Sequence, residues 1–158
     1  MLVASDDGRV ALWNVSTGEV ELQITGHDGA VNAVAYHPDG ESVATAGVDG
    51  LIHLWDVATG DEIRTFVGHG DNLDMAEDEE NVSIAVNDIV FNLDGRELLS
   101  GSDDTTAILW DTATGDIIQI YEQFNEDAIG IEFVAFDYTN SQIHAQNTQN
   151  MIWDKTTA

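Results

Sequence analysis

Histidine, hydroxyl and carboxylate side chains are the groups in this 158-residue chain from which a catalytic site could be built. A hydroxyl, an imidazole and a carboxylate together compose a hydrolytic triad. His27 and His69 could supply the imidazole, and serine, threonine and aspartate residues are available along the chain. The chain has no cysteine, so cysteine nucleophiles, disulfides and thiolate metal ligands are excluded.

The remaining histidines show no spacing that is typical of a metal site. His37, His53 and His144 stand at unrelated positions, and neither His-Glu-x-x-His nor a comparable pattern is present. We therefore predict no metal and no cofactor.

The charge of the chain limits its partners. Thirty acidic residues face four basic ones, giving a formal net charge of −26. Such a field repels nucleic acid and anionic membranes and attracts basic proteins. The acids are spread along the chain, which is typical of proteins adapted to high salt; the alternative is an acidic interaction surface. The bases are scattered: Arg9, Arg64, Arg96 and Lys155.

Apolar patterning indicates one globular domain. The hydrophobic fraction of 43% is enough for a core, and no apolar run is long enough to predict a transmembrane helix. The first residues turn acidic at once and do not form a secretory signal, so we expect a cytoplasmic location.

Four tryptophans mark a repeat that would position these side chains. Their spacings are 42, 55 and 43 residues, and each follows a short run of alternating apolar residues. Three of the tryptophans precede a Thr-Gly turn, in which glycine supplies a positive φ. Period-two patterning between polar turns predicts short strands and an all-β fold. The tryptophans are Trp13, Trp55, Trp110 and Trp153.

These motifs resemble the WD40 repeat family of β-propellers. The resemblance is carried by Gly26-His27 and Gly68-His69, by Asp-Gly turns and by Trp-Asp dipeptides such as Trp55-Asp56. It implies four-stranded antiparallel blades, with strands a to d running from the centre to the rim, and about half of a typical propeller. The expected blades of this single partial propeller are 1–26 (partial), 27–68, 69–123 and 124–158 (partial).

The resemblance also implies a buried tetrad in each complete blade, made by histidine, serine or threonine, aspartate and tryptophan. A set that recurs in every blade is architecture, so we interpret both sets as structural and expect no enzyme. Val3 replaces the hydroxyl residue in the first blade, and Asn147 stands at the aspartate position of the fourth. The predicted tetrads are His27, Thr45, Asp49 and Trp55, and His69, Ser100, Asp104 and Trp110.

Loops on one face of such a propeller are where partners would bind. The third repeat carries an acidic insertion at about 70–82, which is either an acidic loop for a basic partner or a tolerated surface insertion. Positions at the start of strand a and in the neighbouring loops are further candidates. The candidate contact residues are Asp28, Asn32, Val48, Asn87, Asp103 and Glu132, with Asp71, Asp74, Glu77, Asp78, Glu79 and Glu80 of the insertion.

The function that follows from the resemblance is a non-enzymatic scaffold for protein–protein interaction. Two alternatives remain open at this point. The chain is a half-propeller that assembles into a homo-dimer or higher oligomer through its open blade edges, or it is a regulatory segment of a larger signalling protein.

Overall fold

The computed structural model describes residues 1–70, 83–122, 130–137, 139, 141–147 and 150–155. These residues contain fourteen strands in four antiparallel sheets and no helix, which confirms the all-β prediction. The strands are β1 (Leu2–Ala4), β2 (Arg9–Trp13), β3 (Val20–Thr25), β4 (Val31–Tyr36), β5 (Ser42–Gly47), β6 (Ile52–Asp56), β7 (Glu62–Phe66), β8 (Val86–Phe91), β9 (Glu97–Ser102), β10 (Thr106–Asp111), β11 (Ile117–Glu122), β12 (Phe133–Phe136), β13 (Gln142–Gln146) and β14 (Asn150–Asp154).

Each sheet is a meander in which strands that follow one another in the sequence lie side by side. The second sheet (β4 to β7) and the third sheet (β8 to β11) have four strands each. The first sheet (β1 to β3) and the fourth sheet (β12 to β14) have three. The pattern matches two full blades between two partial ones. The boundaries assigned to the blades remain a prediction.

The aspartate that follows the tryptophan ends one strand and begins the next turn. Asp56 Oδ1 accepts hydrogen bonds from the backbone N–H groups of Ala58 and Thr59, at 2.8 and 2.9 Å. These bonds, that of Thr59 above all, lower the pKa of Asp56. Gly60 then adopts a φ of +78°, which a residue with a Cβ rarely takes. The Trp-Asp dipeptide and the Thr-Gly turn therefore form one hairpin turn together.

The hydrophobic core lies in three layers between neighbouring sheets. In each layer the tryptophan of the later sheet packs on the outer strand of the sheet before it. This stacking makes each sheet depend on its neighbours for burial. The pairs that share a layer are Trp55 with Ile24, Trp110 with Phe66 and Trp153 with Tyr121.

Candidate functional site

The second sheet contains one chain of hydrogen bonds that joins four of the predicted residues. Trp55 Nε1 donates to Thr45 Oγ1 at 2.9 Å, and Thr45 Oγ1 lies 2.8 Å from His27 Nε2. His27 Nδ1 lies 2.9 Å from Asp49 Oδ2. Because a carboxylate only accepts, Nδ1 carries the proton and Nε2 accepts from the threonine hydroxyl. Burial lowers the pKa of His27, which favours this neutral form.

The third sheet contains the same arrangement, and its histidine and aspartate are more deeply buried. Trp110 Nε1 donates to Ser100 Oγ at 2.8 Å, Ser100 Oγ lies 2.7 Å from His69 Nε2, and His69 Nδ1 lies 2.9 Å from Asp104 Oδ2. Burial alone would raise the pKa of Asp104. Hydrogen bonds from His69 and from Thr106 outweigh it and lower that pKa to about 2. Asp104 is therefore an ionised acceptor inside the sheet.

The glycine before each tetrad histidine makes room for the tryptophan. A Cβ at Gly26 would lie 2.5 Å from Cη2 of Trp55, and a Cβ at Gly68 would lie 2.9 Å from Cη2 of Trp110. Neither glycine has a positive φ. The Gly-His motif is thus required here by the space that the indole ring occupies.

This geometry leaves no accessible nucleophile in either tetrad. Thr45 and Ser100 are fully buried, and each hydroxyl oxygen is already bonded to an indole and an imidazole. A hydrolytic serine needs a substrate carbonyl within reach. What the tetrads can do chemically is hold strands and loops together, because they satisfy polar groups that would be costly to bury alone.

Among the described residues, the two partial sheets have no hydroxyl at the position of Thr45. The register pairs Val3 with Ala11 and Ala145 with Met151, and these are the pairs that correspond to Thr45 with His53. Neither valine nor alanine has a hydroxyl to accept from an indole. Trp13 is 36% exposed, whereas Trp55 and Trp110 are 5% and 1% exposed.

The predicted contact residues separate into two groups. Asp28, Asn32, Val48 and Glu132 are exposed, and the backbone N–H of Val48 donates to Ala30 O at 3.0 Å, which brings the first loop and the Val48 turn together. Asn87 and Asp103 are only partly exposed, and the six acids of 71–80 lie outside the described residues.

Two of these residues connect neighbouring sheets. Asn32 Nδ2 donates to Val86 O and Asn87 Nδ2 donates to Ile131 O, both at 3.0 Å. Each asparagine lies where the register of strands a and b shifts by one residue. Asn87 Nδ2 also donates to Asp103 Oδ1 at 2.6 Å. The same amide-to-carbonyl bond therefore joins the second sheet to the third and the third to the fourth.

Sequence reasoning missed polar residues at core positions. Asp88 occupies the position of the buried Ala33, accepts from the backbone N–H of Val134 at 2.9 Å, and has its pKa raised by burial. His53 occupies the position of Ile108 and is 6% exposed. The available signal was a polar residue where the neighbouring repeat has an apolar one.

Comparison with known proteins decides the family. The family model of the WD domain, G-beta repeat matches residues 18–56 and 60–111, more than half of the chain. The chain belongs to the WD40 repeat family.

Individual WD40 relatives are similar over most of this chain. The probable beta' subunit of coatomer from Schizosaccharomyces pombe is 31% identical over 117 residues, covering 73% of this chain and 13% of that protein. The beta subunit of the guanine nucleotide-binding protein of Zea mays is 28% identical over 168 residues, covering 98% of this chain and 40% of that protein. The WD40 chain thus spans less than half the length of these relatives. In the part that the structure describes, no helix has the length and apolarity to cross a membrane.

Proposed function

We propose that this WD40 chain is a non-enzymatic scaffold that binds other proteins, and basic ones preferentially. The observation that supports this most is the link between the buried tetrad and the exposed loop beside it. Asp49 Oδ2 accepts from the backbone N–H of Asp28 at 2.9 Å, while the side chain of Asp28 faces solvent. A loop that is already ordered loses little conformational entropy when a partner binds.

The third sheet uses the same link. Asp104 Oδ2 accepts from the backbone N–H of Gly70 at 2.8 Å. Each tetrad aspartate therefore holds the backbone of the residue that follows its histidine, Asp28 or Gly70, and Val48 and Glu132 are exposed. With a net charge of −26, electrostatic attraction to a basic partner supports fast association.

The relatives support the class of function by analogy. The coatomer and G-protein relatives are named as subunits, and so is a relative from chromatin assembly factor 1 of Schizosaccharomyces pombe, which is 27% identical over 125 residues. Membership of larger assemblies is what a scaffold requires. A cytoplasmic location is part of this proposal and is tested by imaging a fluorescent fusion in the host.

Partner capture by cross-linking and mass spectrometry in host extract tests the proposal. The test variant is the triple substitution Asp28→Ala, Val48→Ala and Glu132→Ala, and the matched control is Leu93→Ala with Asp94→Ala, at two exposed residues of another turn. All proteins must show the same circular dichroism. We expect the triple variant alone to lose the wild-type partners. Equal capture by all three proteins contradicts the proposal.

An enzymatic role makes a different prediction. Any activity would need groups outside the buried tetrads, and Glu132 is the exposed acid at the start of its strand. We expect a hydrolase panel to give no turnover with the wild-type chain. Turnover that is lost in Glu132→Gln would assign an active site and refute the non-enzymatic part of the proposal.

Exposed apolar side chains favour self-assembly as a second candidate. On the first sheet Val3 is 41% exposed beside Trp13, and on the fourth sheet Phe133 and Ile152 are 58% and 59% exposed. A second copy could cover both surfaces. Light scattering at low salt and in molar potassium chloride tests this. A dimer that sharpens at high salt supports self-assembly, and a monomer at both salts excludes it.

A further inference from the structure

His53 is a buried histidine at a position that the neighbouring repeat fills with an apolar residue. In the ladder between strands b and c, His53 pairs with Thr45, as Ile108 pairs with Ser100 in the third sheet. Ile108 is fully buried and His53 nearly so. Because an imidazole is costlier to bury than isoleucine, its surroundings decide what it does there.

The imidazole of His53 lies against the tetrad of its own sheet. Its ring centroid is 4.6 Å from that of His27, with the planes at 79°. One ring nitrogen of each histidine and one carboxylate oxygen of Asp49 lie within 4.8 Å of one another. Nε2 of His53 is buried and has no hydrogen-bond partner among the described residues. A buried nitrogen of this kind destabilises the fold unless a ligand binds to it.

The other nitrogen of each ring has a hydrogen-bond partner. His53 Nδ1 lies 3.0 Å from Glu62 Oε1, and His27 Nε2 lies 2.8 Å from Thr45 Oγ1. Histidines that bind metals almost always donate their second N–H to such an outer partner, which fixes the ring and the tautomer. The ring of His53 is therefore already fixed by an outer acceptor, and Thr45 would become that acceptor for His27 once its proton moves to Nε2.

We propose that His27, Asp49 and His53 bind a divalent transition metal of the zinc class. Two imidazoles and one carboxylate are a ligand set that zinc accepts, with water in the fourth position. His53 binds through Nε2. His27 binds through Nδ1, and its proton moves to Nε2, which then donates to Thr45 in place of accepting.

The ligand atoms must move together when the metal binds. Donor atoms at about 2.1 Å from one tetrahedral ion are about 3.4 Å apart, against the present limit of 4.8 Å. The third sheet cannot form this site, because Ile108 stands where His53 would be needed. The proposal therefore predicts one such site among the described residues.

Isothermal titration of the chelator-treated full chain with Zn²⁺ tests the site. We expect one equivalent of Zn²⁺ to bind to the wild-type chain, and we expect His53→Ile, which copies the third sheet, to lose that equivalent. His37→Gln is the matched control, since His37 lies outside the cluster, and it should retain the wild-type affinity. Ca²⁺, which prefers oxygen ligands, should not occupy this site. Unchanged stoichiometry and affinity in His53→Ile overturns the proposal, as does binding of Ca²⁺ equal to that of Zn²⁺.

A second variant keeps the test decisive if His53→Ile fails to fold. Glu62→Gln preserves the size of the outer partner and should weaken Zn²⁺ binding by about 10–100-fold. Its melting temperature without metal should stay close to that of the wild type, because the side chain of Glu62 is 41% exposed and glutamine keeps an oxygen that can accept from His53 Nδ1. A structural role for Glu62 alone would leave the Zn²⁺ affinity unchanged, and that result also overturns the proposal. Co²⁺ in place of Zn²⁺ should give the visible absorption of a tetrahedral site in the wild type and in His37→Gln, and none in His53→Ile.

Discussion

Replacing Asp104 by alanine should destabilise the chain far more than the loss of one carboxylate at the surface. The carboxylate accepts from His69 Nδ1 at 2.9 Å, from the backbone N–H of Thr106 at 2.9 Å and from that of Gly70 at 2.8 Å. The side chain of His69 is fully buried and that of Asp104 is 4% exposed, so alanine removes the acceptor of both backbone N–H groups and leaves His69 Nδ1 only Thr106 Oγ1, at 3.2 Å.

The magnitude follows from those donors. A buried donor left unpaired costs about 1–3 kcal/mol, and water can reach the Gly70 N–H more easily than the other two. We therefore expect Asp104→Ala to lower the free energy of unfolding by about 3–5 kcal/mol. That is a large part of the total stability of a domain, which is about 5–15 kcal/mol.

The pH dependence gives an independent measure of the same interaction. The pKa of Asp104 is about 2 in the folded chain and 3.8 in the reference state. A lowered folded pKa means that the stabilisation is complete above the unfolded pKa and is lost as the pH falls from about 4 to about 2. At 1.4 kcal/mol for each pH unit, the loss is about 2 kcal/mol.

Urea unfolding followed by tryptophan fluorescence measures both effects. Asp94→Ala, at an exposed residue, is the control and should change the free energy of unfolding by less than about 0.5 kcal/mol. Asp104→Asn cannot ionise, so the stability difference between it and the wild type should shrink below pH 4. If Asp104→Ala lowers the free energy of unfolding by no more than Asp94→Ala does, the tetrad does not stabilise the sheet.

The other predictions concern the packing of the tryptophans and one hydrogen bond between sheets. Urea unfolding measures each of them. Trp55→Ala should cost about 3–5 kcal/mol, whereas Trp13→Ala, which removes a partly exposed ring, should cost clearly less; equal costs would contradict the different burial of the two rings. Gly68→Ala should destabilise the chain, because a Cβ there meets the Trp110 ring, and a neutral effect would refute that contact. Asn87→Ala should cost about 1 kcal/mol through the lost bond between sheets, and Asn87→Asp, which cannot donate, should not restore stability.

Much of the fold was predictable because each repeat contains the same local sequence signals. The tryptophan spacing and the Thr-Gly turns predicted all-β blades, and strands such as β6 and β10 occur where those signals place them. Turn residues and period-two patterns depend only on residues that are close in the sequence. They can therefore be recognised without knowing how the rest of the chain folds.

The contacts between repeats were harder to predict. The sequence predicts Asn87 as a candidate contact residue. Only the structure shows that its amide, at the register shift between β8 and β9, also donates to the backbone carbonyl of Ile131, just before β12. The sequence does not predict His53 as a metal ligand, because His53 shares no repeat position with His37. Its closeness to His27 depends on the pairing of strands b and c and on the loop before strand a, which no local pattern reports.

Hydrogen exchange of the indole N–H groups, followed by NMR, shows whether the buried tetrads brace the second and third sheets. In these sheets the tetrad aspartates also hold the backbone N–H groups of Asp28 and Gly70. Trp55 and Trp110 donate to buried hydroxyls, so their indole protons should exchange far more slowly than that of the partly exposed Trp13. Equal exchange of all three indole protons would contradict the account.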